Sequence, residues 1–364
     1  KVLDEIDSAL SSDYLETTSK VELSKVYAEN SFNTLSPQGP KSNKRFIDAI
    51  KEGLREKLAL DDNVIIMGQD IAEYGGVFKA TEGFVEQFGK DRIINTPITE
   101  SGIIGAAMGM AIEGYKPIVE MQFADFVSVG FNQIVNNLAK TYYRWNQPIN
   151  VTLRLPTGGG IGAGPFHSQS NEAWFFHVPG LKIVYPSNPY DAKGLLHASI
   201  DDNNPVLYFE HKALYRSLKN EIPNNPYHVE IGKGKVVNKG DSLTIVTYGM
   251  GVTWVLDYLK NHPDFISSIE LIDLRTLIPW DKDIVSKSIT KTNKLLIITE
   301  DNLTGSISGE ISSYVSQYDF EKLDAPIIRL GSLDTPIPFS SNIEKNIYFP
   351  INKIDSSIKK LLEY

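Results

Sequence analysis

The sequence predicts an α/β protein of two doubly wound domains with mostly parallel sheets. Three observations carry that prediction. Continuous apolar runs of strand length, such as "VIIMG" (64–68) and "LLIIT" (295–299), are separated by segments with helical spacing, the pattern of parallel strands covered on both faces. The alternation stops at a polar stretch, "SLKNEIPNNPYHVEIGKGK" (217–235), and then restarts. At 364 residues the chain is too long for one ordinary domain and suits two.

The elements follow in order. Residues 1–42 hold a short amphipathic helix pattern, "VLDEIDSAL", and run into a polar linker, "SFNTLSPQGPKSN" (31–43). The first domain is expected over 43–216. It opens on "FIDAIKEGLREKLAL", whose Phe46, Ile50, Leu54 and Leu58 repeat at helical spacing. Strands are expected at "VIIMG", "PIVEMQF" (117–123), "INVTLRL" (149–155), "KIVYPS" (182–187) and "VLYFE" (206–210), with helix formers such as "SVGFNQIVNNLAKTYYRW" between them. The stretch 217–235 reads as the inter-domain linker. The second domain, 236–364, restarts with "LTIVTYG" (243–249), "IELIDLRTL" (269–277), "KLLIITE" (294–300) and "IIRLG" (327–331).

Composition excludes several functions. A net charge of −9 offers no basic footprint, so no nucleic-acid partner is expected. The apolar runs are far shorter than a membrane span, so no membrane partner is expected either. The absence of cysteine rules out thiol catalysis, thiolate metal sites and disulfides, and points to a cytoplasmic location.

Ligands of open parallel sheets collect beyond the carboxyl ends of the strands. Gln69 and Asp70 follow "VIIMG"; Gln122 and Phe126 follow "PIVE"; the loop "PTGGGIGAGPFHSQS" (156–170) follows "INVTLRL". Glu100 opens the helix pattern "ESGIIGAAMGMA" as the one acid before an apolar, glycine-rich run. The residues alone leave two readings open for Glu100: a helix N-terminal acid favoured by the macrodipole, or a catalytic group. "GGGIGAG" (158–164) has no helix N-terminus directly after it, so it reads as an active-site loop delivering His167 rather than a phosphate cradle. No histidines pair at zinc-ligand spacing, and neither a G-x-S-x-G elbow nor a Walker loop is present.

Taken together, "MGQDIAEYGGVFKATEGFVEQFGKDRIINTPITESG", "EMQFADF", "FHSQSNEAWFFHVPGLKIVYPSNPYDAKGLL", "DDNNPVLYFE" and "IDLRTLIPWD" resemble the β subunit of the thiamine-diphosphate-dependent, transketolase-like E1 component of 2-oxo acid dehydrogenase complexes, over roughly 43–364. The resemblance implies a pyrimidine-binding domain followed by a transketolase C-terminal-like domain. It implies an oxidoreductase that decarboxylates a 2-oxo acid and acylates the lipoamide of E2. "QFADF", "FHSQS" and "IDLRTLIPWD" resemble the branched-chain (2-oxoisovalerate) type more than the pyruvate type.

By the same resemblance Glu100 is the catalytic glutamate that hydrogen-bonds the cofactor's aminopyrimidine, and His167 the loop histidine that meets the substrate-derived group. Ile98, Gln122 and Phe126 match cofactor-binding positions, Phe126 standing where relatives often carry Tyr. Gln69 replaces the family's usual Glu and removes a negative charge beside Glu100. A structural K+ is implied at Asp202 and Asn204, with backbone oxygens of Ile149, Val151, Thr152 and Ser199. The sequence has no "GDG" motif, so Mg2+ ligands are expected from an E1 α region and the chain is expected to be inactive without it. "VLDEIDSAL…KVELSKVYAEN" resembles the end of an E1 α subunit, which implies an α–β fusion with this chain as its C-terminal portion. The implied partners are that α region, a second copy in an α2β2-like assembly, and the lipoyl and subunit-binding domains of E2. Two alternatives share the fold: a fragment like transketolase or deoxyxylulose-phosphate synthase, and a non-catalytic scaffold.

Overall fold

The computed structural model describes residues 1–13, 16–30 and 32–364. In chain order its strands are β1 (Lys41–Arg45), β2 (Val64–Gly68), β3 (Ile93–Asn95), β4 (Lys116–Glu120), β5 (Thr152–Thr157), β6 (Lys182–Val184), β7 (Val206–His211) and β8 (Lys219–Pro223). They continue with β9 (Lys235–Asn238), β10 (Leu243–Thr247), β11 (Ile269–Asp273), β12 (Thr276–Ile278), β13 (Leu295–Asn302) and β14 (Ile328–Ser332).

The first sheet has seven strands in the order β12-β6-β7-β5-β4-β2-β3, parallel except for β12. β2, β5 and β7 are buried along their whole length, β2 as its unbroken apolar patterning requires. The helices Phe46–Leu60 and Pro189–Asp201 pack against each other on one face, Phe46, Ile50, Leu54 and Leu58 all buried. The second sheet runs β14-β13-β10-β11-β9, parallel except for β9 at its edge.

Three features depart from the sequence reading. The expected strand 269–277 is two strands. After β11 the chain turns at Arg275, whose φ is +60°, and β12 joins the first sheet antiparallel to β6. The 217–235 stretch is not only a connector: β8 pairs antiparallel with β1, placing a polar two-stranded ribbon where linkers were expected. Its residues carry no apolar run because most of both strands stay in water. Finally, Gln133–Leu138 forms a wide π-type turn within the expected helix 128–145. The two sheets also share a core: Leu155, Tyr185 and Phe209 lie in one apolar cluster with Tyr248, Leu274 and Ile297.

Candidate active site

The chain leaves β2 outward to β3, then crosses back to β4 on the other side of β2. That reversal opens a crevice at the carboxyl ends of β2 and β4, the place where open α/β sheets bind ligands. Gln69 and Asp70 follow β2, while Gln122 and Phe126 follow β4. The Gln122 side-chain amide donates to Asp70 Oδ2 at 3.0 Å, spanning the crevice. Asp70 adopts φ +57°, a left-handed conformation that Asp tolerates better than most residues and that turns its carboxylate toward β4.

Beyond β3, Ile98 is 80% exposed and Glu100 is the first residue of the helix Glu100–Ile112. Glu100 is 8% exposed; its carboxylate has no hydrogen-bond or ion-pair partner among the described residues, and its oxygens are not among the fully buried polar atoms left without one. The Thr99 side chain does not cap the helix. A helix N-terminus favours that carboxylate, and with no protein donor taken it is free to accept from a ligand. Gly130 lets the 124–130 turn lie against the helix, because a Cβ there would stand 2.3 Å from Ile104 Cδ1.

After Pro156 and Thr157, which end β5, the loop 158–170 has no regular structure, and its base is closed. Gly158 N donates to Gln169 O at 3.1 Å and Thr157 Oγ1 to the same oxygen at 2.9 Å. Asp125, which the sequence reading passed over, receives Gln169 N at 3.0 Å and Gln169 Nε2 at 2.9 Å. These bonds tie the turn after β4 to the loop after β5. His167 thereby meets Phe123 and Phe126 nearly edge-on, with ring centroids 4.8 and 5.5 Å away.

Under the crevice lies a fully buried ion cluster. Arg154 on β5 binds Glu210 on β7 through Nε at 2.6 Å and Nη2 at 2.9 Å, and binds Glu120 on β4 through Nη1. Tyr215 Oη also donates to Glu210, at 2.7 Å. Burial raises the Glu120 carboxyl above its usual range despite the arginine. The signal in the sequence was one charge near the end of each of three apolar strands. Lys212, directly after β7, is another residue the sequence did not single out. Its ammonium is buried beside the Phe123 ring, and burial lowers its pKa to about 8.

Asp202 and Asn204 are hydrogen-bonded within the protein. Asp202 Oδ2 receives Lys182 Nζ at 2.5 Å and Asn30 Nδ2 at 2.9 Å, while Oδ1 receives the backbone and side chain of Asn204. Asn204 Oδ1 receives Ala28 N at 2.7 Å, and its Nδ2 donates to Ala28 O at 2.9 Å. Ser199 O already accepts from Thr152 Oγ1 and Val151 O from Val206 N. Lys182 also forms an ion pair with the Asp202 carboxylate. Through these bonds Asp202 and Asn204 hold the "VYAEN" segment (26–30) onto the 201–204 turn.

This is the architecture of a transketolase-type pyrimidine-binding domain joined to its C-terminal partner. "Transketolase, pyrimidine binding domain" matches residues 43–217 and "Transketolase, C-terminal domain" matches 232–354. A solved chain titled "Split gene transketolase, inactive beta4 tetramer" shares the fold at TM-score 0.73 and 18% identity, covering 89% of this chain and 99% of that one.

The chain belongs to the β subunits of the E1 components of 2-oxo acid dehydrogenases. It is 44% identical over 326 residues to the 2-oxoisovalerate dehydrogenase subunit beta of Bacillus subtilis, covering 88% of this chain and 98% of that protein. It is 41% identical to the mitochondrial 2-oxoisovalerate dehydrogenase subunit beta 2 of Arabidopsis thaliana, covering 87% of this chain and 88% of that protein. It is 37% identical to the pyruvate dehydrogenase E1 component subunit beta of Staphylococcus epidermidis, covering 87% and 98%.

Proposed function

We propose that the chain supplies the pyrimidine side of a thiamine diphosphate site and acts as the β part of an E1 that decarboxylates a branched-chain 2-oxo acid and acylates E2 lipoamide. The observation that carries this is the Glu100 carboxylate, at a helix start and without a protein partner among the described residues, beside a crevice furnished by Gln69, Gln122, Phe126 and His167. Bound there, thiamine diphosphate supplies the electron sink for decarboxylation. Glu100 shares a proton with a nitrogen of the pyrimidine ring. Gln122 and Gln69 would offer the cofactor neutral amides, Phe126 an aromatic neighbour and Ile98 an apolar contact. His167 reaches the substrate-derived group and holds or moves a proton there.

The diphosphate and its Mg2+ belong to an E1 α region in this proposal, joined to the chain through residues 1–42, and the chain is inactive without it. Domain limits of 43–216 and 236–364 and a cytoplasmic location belong to the same reading. Ile98 at 80% and Phe166 at 70% exposure are apolar rims that such a partner would cover. A second copy and the lipoyl and subunit-binding domains of E2 complete the assembly. The branched-chain preference rests on the two 2-oxoisovalerate dehydrogenase relatives standing above the pyruvate dehydrogenase relative in identity.

The test is 2-oxo-acid-dependent reduction of an artificial electron acceptor by the α–β enzyme with thiamine diphosphate and Mg2+. Faster turnover of 3-methyl-2-oxobutanoate than of pyruvate is expected, and the reverse overturns the substrate. Glu100→Gln is expected to lower turnover about 100-fold or more while the protein stays folded. Retained turnover would remove Glu100 from its role.

A further inference from the structure

The loop that carries His167 belongs to the first domain, but its glycine-rich limb is gripped by the second. Gly159 N donates to Glu300 Oε1 at 2.7 Å and Gly160 N donates to Glu344 Oε1 at 2.6 Å. Both carboxylates are buried, at 5% and 2% exposure. Glu300 sits on β13, and burial pushes its carboxyl up. His211, the Gly159 amide and Lys212 together outweigh that and hold it below the usual range. The anchor is thus an anion at neutral pH, and charge-assisted bonds from backbone amides are about twice as strong as neutral ones. Glu344 opens a short helical turn, Glu344–Tyr348, fixed by its own amide donating to Ser340 O at 2.8 Å.

The packing leaves the limb little freedom. A Cβ on Gly159 would lie 2.6 Å from Ile337, 2.7 Å from Glu344 and 2.8 Å from Phe349. One on Gly164 would lie 2.2 Å from the Phe339 ring. Residues 337–349 of the second domain therefore touch the loop at Gly159, Gly160 and Gly164, while Gln169 is held to β5 and to Asp125. His167 hangs between these fastenings.

We propose that Glu344, together with Glu300, is a positioning residue. By accepting the Gly159 and Gly160 amides, the second domain sets the pose in which the loop presents His167 against Phe123 and Phe126. The inference rests on the reading of His167 given above, and it adds the second domain to the site that the first domain builds. Displacing a reacting group by about 1 Å can lower a rate 100-fold, so two buried bonds are enough to matter.

The first test does not depend on turnover. Hydrogen–deuterium exchange of the full chain is compared between wild type, Glu344→Gln and Glu344→Leu, with thermal unfolding as the fold control. Leucine is expected to speed exchange in peptides covering 158–164 about tenfold or more, with exchange elsewhere unchanged. Glutamine keeps an acceptor and is expected to stay within about threefold of wild type. The second test measures acyl transfer to a lipoyl domain by the α–β enzyme. Glu344→Leu is expected to lower turnover about tenfold in the wild-type background and to have no effect in His167→Ala, because both act on one step. Independent, additive losses or unchanged loop exchange would overturn the proposal. If His167→Ala alone leaves turnover intact, the role of His167 fails, and the exchange measurement still decides whether Glu344 anchors the loop.

Discussion

Replacing Arg154 with methionine keeps much of the side-chain volume and removes the only cation in its cluster. Glu120 and Glu210 would then face each other from β4 and β7 in a site that is at most 5% exposed, with only the Tyr215 hydroxyl as an assigned donor. Breaking a buried ion pair in this way costs about 3–5 kcal/mol, since the remaining charge must be neutralised or left unpaired. The shared core makes the two domains unfold together. At about 2.1 cal/mol/K per residue, the unfolding entropy of 364 residues is roughly 0.76 kcal/mol/K, so Tm should fall by about 4–7 °C.

The loss also depends on pH. With the arginine gone, both carboxyls hold their protons to higher pH in the folded state than in the unfolded chain. Stability is then least affected below about pH 4.3 and falls further as pH rises through neutrality. The assay is thermal unfolding at pH 5 and pH 8, with a triple variant, Arg154→Met, Glu120→Leu and Glu210→Leu, as the compensated control. The triple variant should recover most of the loss. A single variant within about 1 °C of wild type at both pH values would refute the account of this cluster.

Two further outcomes are expected. Burial raises Glu172 from 4.5 to about 7 beside Tyr248, whose hydroxyl donates to it at 2.8 Å. A raised carboxyl binds its proton more tightly in the folded state, so its contribution declines as pH rises from about 4.5 to 7 and then levels off; Glu172→Gln should flatten that part of the denaturant-midpoint profile, and an unchanged profile would assign it to other groups. Asn204→Ala removes both bonds to the Ala28 backbone, worth about 1–3 kcal/mol of local docking. Limited proteolysis should then cut within residues 32–40 about tenfold faster, and unchanged cleavage would show that Asn204 does not hold the segment.

The apolar strands were legible because continuous burial leaves an unbroken pattern: "VIIMG", "VLYFE" and "LLIIT" are β2, β7 and most of β13. β1, β8 and β12 were not legible as such. Polar "KSNKR" becomes a strand only because "KNEIP" lies beside it, and β12 belongs to a sheet formed earlier in the chain. The same distinction divides the site. Gln69, Gln122 and Phe126 closely follow strand ends and His167 sits in the loop after one, a local property. Arg154 and Glu210 are separated by 56 positions, and Gly160 and Glu344 by 184, so their pairings leave no local trace. Asp202 and Asn204 also have partners that leave no local trace. The segment they bind lies 172–176 positions earlier in the chain.

β12 has a mechanical consequence. The polypeptide leaves β11 in the second sheet, contributes three residues to the margin of the first, and returns to build the rest of the second. Ser187 donates to Asp273 at 2.5 Å, Tyr185 N to Arg275 O at 2.8 Å, and Arg275 pairs with Asp191 at 2.7 Å, so the crossing is sewn on both sides. A hinge between the halves would have to tear this seam, which leaves loops as the parts free to admit reactants. It also bears on dissection: a gene cut near residue 235 would deprive the first half of its border strand, and the two products would be incomplete pieces of one object.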